Sequence, residues 1–322
     1  MTATRFTKES PFPLRLLAYS NERFPLWQVA GQFPMFLAAF LFGQLIVGSE
    51  AEFTGPLFAG FVAFVAYTLM VRCIDDIKDA AHDNEHYPDR VLQRGLITFT
   101  NLKIIALICF ASSVAISIYM DGGLGLVTMW WFIIFVTNNL VQFVQIKWAF
   151  IGAWLESRRV LLALSVIPFW GFGSVWIAQM GAGDDVVTAK VWWLVVLWCV
   201  AALLLEIARK SRTPEDERAT VVDYTKSDDS WTRSLGLVGT VVTLVSLALV
   251  ATLLEVGLLA SVGAGTWWAY LALGITMLLP LGAAVRFWLQ KDRYRAKDVS
   301  EMAAGVWVIG QIIVVIALLV AG

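Results

Sequence analysis

The chain has 322 residues, 59% of them hydrophobic and only 15% charged, where a soluble globular domain carries roughly 25% charge. That balance excludes an ordinary soluble domain, and fifteen Trp residues suit a protein anchored at two lipid–water interfaces. The formal net charge of -1 says nothing about nucleic-acid or acidic partners, and no nucleic acid is expected, so the positions of the charges matter more than their sum.

In chain order, residues 1–26 carry Arg5, Lys8, Arg15 and Arg23 but no apolar core of a signal peptide. They read as a cytoplasmic arm that leads into the first span. A hydrocarbon core of about 30 Å takes about 20 mostly apolar residues per helix. Nine segments meet that need: 27–48, 57–74, 102–120, 124–144, 160–180, 191–208, 235–257, 267–289 and 302–321. Helices are expected because lipid offers no partner to an unpaired backbone group. Cys73, Cys109 and Cys199 lie far apart in or beside these apolar runs. They show neither metal-ligand spacing nor a disulfide framework.

The connections alternate in charge. The arm and loops 72–103, 145–159, 209–234 and 286–301 hold every Lys and Arg except Lys190. The opposite connections are short, and two of them are Gly-rich, as at Asp121-Gly122-Gly123. The excess of Lys and Arg makes the first side cytoplasmic. With nine spans the N-terminus is inside and the C-terminus outside, in what is expected to be the cytoplasmic (inner) membrane. Two cytoplasmic loops, 72–101 and 209–234, are long and dense in charge, and function is expected there, within one transmembrane domain over 1–322.

The first loop opens on Arg72-Cys73-Ile74-Asp75-Asp76-Ile77-Lys78-Asp79-Ala80-Ala81-His82-Asp83. If the second helix runs past Ile74, then Asp75, Asp79 and Asp83 stack at i, i+4 and i+8, with Asp76 bordering that face. Carboxylates so close repel unless a cation neutralises them. Hard oxygen ligands in small number suit Mg²⁺, which keeps waters and bridges to phosphate. Lys78, Arg90 and Arg94 are placed to hold the remaining phosphate charge. His82-Asp83-Asn84-Glu85-His86 also spells an inverted zincin pattern. Tyr87-Pro88 should end the helix that must carry both histidines, so the match reads as chance.

The sixth span ends in Glu206-Ile207-Ala208-Arg209-Lys210-Ser211-Arg212-Thr213-Pro214-Glu215-Asp216-Glu217. Glu206 and Glu217 lie about three helical turns apart, although Pro214 should bend or restart the helix. Carboxylates beside Arg209, Lys210 and Arg212 suit a diphosphate bridged by Mg²⁺.

Together these runs resemble the UbiA superfamily of intramembrane prenyltransferases. Asp75-Asp76-x-x-Asp79-x-x-x-Asp83 is similar to its first signature, N-D-x-x-D-x-x-x-D, and Arg90-Val91-Leu92-Gln93-Arg94-Gly95 to the R-P-L-x-x-G element that follows. Phe143-Val144-Gln145-Ile146-Lys147 stands where the family has Y-x-x-x-K, and Thr213 to Glu217 where it has a second D-x-x-x-D. The resemblance implies an all-α bundle of nine helices around a central cavity open sideways to lipid. It implies two Mg²⁺ ions holding the diphosphate of an isoprenyl donor of the farnesyl or geranylgeranyl class. Asp75, Asp79 and Asp83 would bind one metal with Asp76 alongside, and Glu217 with Asp216 and Glu206 the other. Lys147 and Arg90 would contact the diphosphate and, with Asp76, take catalytic roles. Asp75 departs from the family's Asn, Val91 from its Pro, Phe143 from its Tyr, and Thr213 from the first Asp of the second signature.

In that reading, metal and bases draw charge into the diphosphate and the allylic C–O bond ionises. The prenyl group then passes to an aromatic or other lipophilic acceptor. In cyclases of the same superfamily the cation closes on its own double bonds, and these residues do not separate the two outcomes. Transport is the remaining rival, since intramembrane acids also mark ion pathways. Here the acids cluster at helix ends, and Glu255 and Gln311 are among the few polar groups deeper in the late spans.

Overall fold

The computed structural model describes residues 6–145, 159–211, 230–290 and 293–322. Among them there is helix and no strand, as a chain that must satisfy its backbone inside lipid requires. The helices are α1 (Phe12–Arg23), α2 (Leu26–Ile46), α3 (Gly55–Lys78), α4 (Ala80–His86), α5 (Phe99–Asp121) and α6 (Leu126–Gln145). After them come α7 (Arg159–Ala182), α8 (Val191–Arg209), α9 (Trp231–Ser261), α10 (Trp267–Thr276), α11 (Leu278–Gln290) and α12 (Arg293–Ala321). Among the described residues, six helical segments are long and apolar enough to cross a membrane: Leu26–Ile46, Gly55–Lys78, Phe99–Asp121, Val191–Arg209, Trp231–Ser261 and Trp267–Leu289. Leu126–Leu140 and Gly305–Ala321 are shorter apolar helices.

Local chemistry explains the ends and breaks. Thr98 and Asn101 form a reciprocal capping box that starts α5, and Gly122, at φ 67°, stops it. Asp121 then accepts the backbone N–H groups of Gly125, Val127 and Thr128, which closes that short connection. The expected span 267–289 breaks at Met277 into α10 and α11. Pro280 lacks the N–H that would bond the Thr276 carbonyl and crowds that turn. α9 is kinked at Gly236, whose φ of 69° marks where its apolar run begins.

The described residues cluster into two compact units, one of Met1–Phe36 with Thr54–Thr128, the other of Leu37–Phe53 with Met129–Gly322. In the first, α3 packs along α5. The arm, read from sequence as a lead-in, is helical at its end: α1 lays Ala18 and Tyr19 on Cys73, Val91, Leu96, Ile97 and Leu102. In the second, α8 packs against α7 and α9, and its C-terminal end joins a core of Leu204, Ile207, Trp231, Leu244 and Phe287. Residues 40–43 of α2 lie against α7 so closely that a Cβ on Gly43 would strike the Ala178 carbonyl and one on Gly181 the Phe40 carbonyl. Small residues allow such backbone contact in lipid, where dispersion replaces the hydrophobic drive.

Candidate active site

α3 continues past Ile74 as the spacing predicts, and closes at Lys78 with Asp79 as its cap, at φ -86° and ψ 0°. Asp79 N–H bonds the Asp75 carbonyl at 2.8 Å and Asp83 N–H bonds the Asp79 carbonyl at 2.9 Å. The i, i+4, i+8 spacing therefore survives the small break between α3 and α4. α4 ends at His86, where Tyr87-Pro88 requires it to.

The four acids divide into two pairs. Asp76 is buried, and both its oxygens are engaged. Oδ2 accepts the Tyr19 hydroxyl at 2.8 Å. Oδ1 accepts Arg23 Nε at 2.9 Å, pairs with the Arg23 terminal nitrogen, and lies 2.9 Å from an Arg72 terminal nitrogen. Asp83 is also buried; its Oδ2 pairs with Arg90 and stands 3.9 Å from Arg23. Asp75 and Asp79 remain open to solvent, with side chains 30% and 50% exposed, and both reach Lys78, at 3.4 and 3.7 Å. Partial burial raises the Asp79 carboxyl above the ordinary aspartate range; Lys78 opposes this, and Asp75 and Asp83 add to it.

Arg23, Arg72 and Arg90 thus meet two carboxylates with three guanidinium groups. Arg72 Nε is buried and finds no acceptor among the described residues, which leaves donor capacity for an anion. The Arg90 guanidinium lies 3.9 Å over the Tyr87 ring, which holds its plane. Arg94 donates to the Phe6 carbonyl at 2.8 Å, and Gly95, at φ 72°, turns the chain back toward α5 beneath the Lys8 side chain. In the other unit, Glu206 pairs with Arg209 at 2.7 Å and Lys210 at 2.8 Å. Lys147, Arg212, Thr213, Asp216 and Glu217 lie outside the described residues.

Among the described residues, no three His, Cys, Asp or Glu side chains converge as a metal-holding group. The reason is visible in the pairing, because arginines hold Asp76 and Asp83. Of the four acids, Asp75 and Asp79 are the two solvent-reaching carboxylates, of the hard oxygen type that Mg²⁺ takes alongside water and phosphate. Tyr19, Glu22, Arg23 and Arg72 escaped the sequence reading as site residues. For Tyr19, Arg23 and Arg72 the signal was the i, i+4 spacing of Tyr19 with Arg23 and of Arg72 with Asp76; Glu22, whose partner Val91 is 69 positions away, had none.

The backbone is similar to two solved structures. One, of digeranylgeranylglyceryl phosphate synthase, matches with a TM-score of 0.61 at 14% identity over 96% of this chain and 98% of that one. The other is the apo structure of a UbiA homolog from Aeropyrum pernix K1. It matches with a TM-score of 0.60 at 14% identity over 90% of this chain and 98% of that one. The chain has the UbiA fold. No protein-family model and no curated protein sequence matches it. Within the UbiA fold, the run Asp75 to Asp83 keeps its spacing at the end of a membrane-length helix.

Proposed function

We propose that this chain is an intramembrane prenyltransferase that ionises an isoprenyl diphosphate with the help of Mg²⁺ and transfers the prenyl group to a lipophilic acceptor. The observation that carries this is the paired arrangement at the end of α3. Two open carboxylates, Asp75 and Asp79, adjoin a part-buried cluster in which three arginines outnumber two carboxylates. The first pair suits a cation and the second a dense anion. A metal diphosphate offers both.

When bound, Mg²⁺ would draw electron density into the diphosphate leaving group. Asp75 and Asp79 would hold it. Arg90 and Arg72 would take phosphate oxygens, with Lys78 and Arg94 beside them and Lys147, Arg209, Lys210 and Arg212 completing the basic set. Asp216 and Glu217, with Glu206, are proposed for a second ion. Arginine suits the task because its planar fork matches two oxygens at once and never loses its charge. The nine-span bundle with a cavity open to lipid, the cytoplasmic N-terminus and the farnesyl or geranylgeranyl length of the donor belong to the same proposal.

The test is diphosphate release by the full chain in lipid vesicles, from farnesyl and geranylgeranyl diphosphate, with and without Mg²⁺ and a panel of aromatic and glycerol phosphate acceptors. Release that needs both Mg²⁺ and an acceptor is the expected result. Rapid release without acceptor, accompanied by a cyclic product, would replace transfer with cyclisation. No release under any condition would end both.

A further inference from the structure

α1 holds the acidic run at two separate places. From one face of this twelve-residue helix, Tyr19 and Arg23 reach Asp76 on α3, and Arg23 extends toward Asp83 on α4. From the same helix, Glu22 accepts the Val91 backbone N–H, at 3.1 Å to Oε1 and 3.3 Å to Oε2, in the segment that carries Arg90. Arg15 donates to the Leu96 carbonyl at 3.1 Å, where that segment ends. The apolar side of α1 is buried under the same wall through Ala18 and Tyr19.

We propose that Tyr19, Glu22 and Arg23 are positioning residues that sort the four acids into two roles. They bind Asp76 and Asp83 into an arginine network and so leave Asp75 and Asp79 directed to the cation. A helix that continued α3 without such partners would present four adjacent carboxylates of one sign. Their mutual repulsion would spread them or draw in a cation at a different set. With Arg23 in place, the charge of Asp76 is met inside the protein by charge-assisted hydrogen bonds. Glu22 acts on the other wall: by holding Val91 N–H it sets the distance between Arg90 and Asp83. None of the three touches the reacting atoms, and each acts through another residue.

This inference rests on the metal-diphosphate reading of the site, and the experiment separates the two. Mn²⁺ shares the oxygen-ligand preference of Mg²⁺ and its binding is read by electron paramagnetic resonance without turnover. The full-length chain, in detergent with inorganic diphosphate, is titrated with Mn²⁺ as wild type, Arg23→Ala, Arg23→Lys, Tyr19→Phe and Glu22→Ala. Thermal unfolding is followed on the same samples. We expect Arg23→Ala to weaken Mn²⁺–diphosphate binding by about 10- to 100-fold, a loss of the size that changes behind the ligands of a metal cost, because Asp76 and Asp83, freed of Arg23, would repel the diphosphate and spread Asp75 and Asp79. Tyr19→Phe, which loses one hydroxyl, should weaken it by roughly 10-fold, and Arg23→Lys should recover part of the loss. Unchanged Mn²⁺ affinity in Tyr19→Phe and Arg23→Ala, with only the unfolding temperature lowered, would reduce α1 to a structural support and overturn the proposal. Tighter binding in Arg23→Ala would also overturn it, since Arg23 would then be masking a ligand. If Arg23→Ala fails to fold, Tyr19→Phe and Glu22→Ala decide. A wild type that binds no Mn²⁺ with diphosphate would sink the metal-diphosphate reading itself, and this inference with it.

Discussion

Asp76 and Asp79 stand three positions apart and meet opposite surroundings. Asp76 is 2% exposed and bonded to Tyr19, Arg23 and Arg72; Asp79 is half-exposed beside Lys78. Asp79→Asn removes a charged oxygen donor from the open pair, so Mg²⁺-dependent diphosphate release is expected to fall at least about 100-fold, the upper end of what changes behind a metal ligand cost. Unfolding temperature should hardly move, because surface substitutions away from a packed network rarely cost more than about 0.5 kcal/mol. Asp76→Asn should do the reverse in emphasis. It leaves part-buried guanidinium groups without their counter-charge, at a cost of about 3 kcal/mol, which a thermal melt in detergent would register. An unaltered melt for Asp76→Asn would show that its network adds nothing. The acids themselves were legible in the chain because a spacing of four in a helix means a shared face. Which of them faced inward was not, because that depends on Tyr19 and Arg23, more than fifty positions earlier.

At the scale of the element, the helices follow from apolar length and their ends from ordinary punctuation: Thr98 with Asn101, Gly122, and Pro280 behind the break at Met277. The contact between α2 and α7 depends on glycine at two points, Gly43 and Gly181, with backbone carbonyls directly opposite. Gly43→Ala and Gly181→Ala should each force the helices apart and cost about 1–3 kcal/mol, the usual range for overpacking, read as a lowered melting temperature. Gly173→Ala, on the same helix with open space where its Cβ would go, is the control and should stabilise slightly if anything. Equal effects at Gly43 and Gly173 would refute the close-packing account. The amphipathic character of α1 was open to the same periodic reading as any helix. Its function was missed because a short charged segment before a span looks like a tether.

For the molecule as a whole, the asymmetry of Lys and Arg predicts orientation. A reporter fused after Gly322 that works only outside the cytoplasm should be active, and one fused before Met1 should not; the opposite pattern would discard the topology. Removing Mg²⁺ with a chelator should abolish diphosphate release, and added Mg²⁺ should restore it. The sequence alone determined membrane residence, the positions of the apolar helices and the acidic run, because hydropathy and helical period are local properties and lipid leaves the backbone few choices. The motif pattern also pointed to the UbiA fold, and the chain is similar in backbone to the two solved structures at 14% identity, a level at which few side chains need agree. Only tertiary structure decided how the acids are shared out between arginine and solvent. The electrostatic environment of a carboxylate is set by whatever surrounds it in space, and for Asp76 that includes a separate helix more than fifty positions earlier.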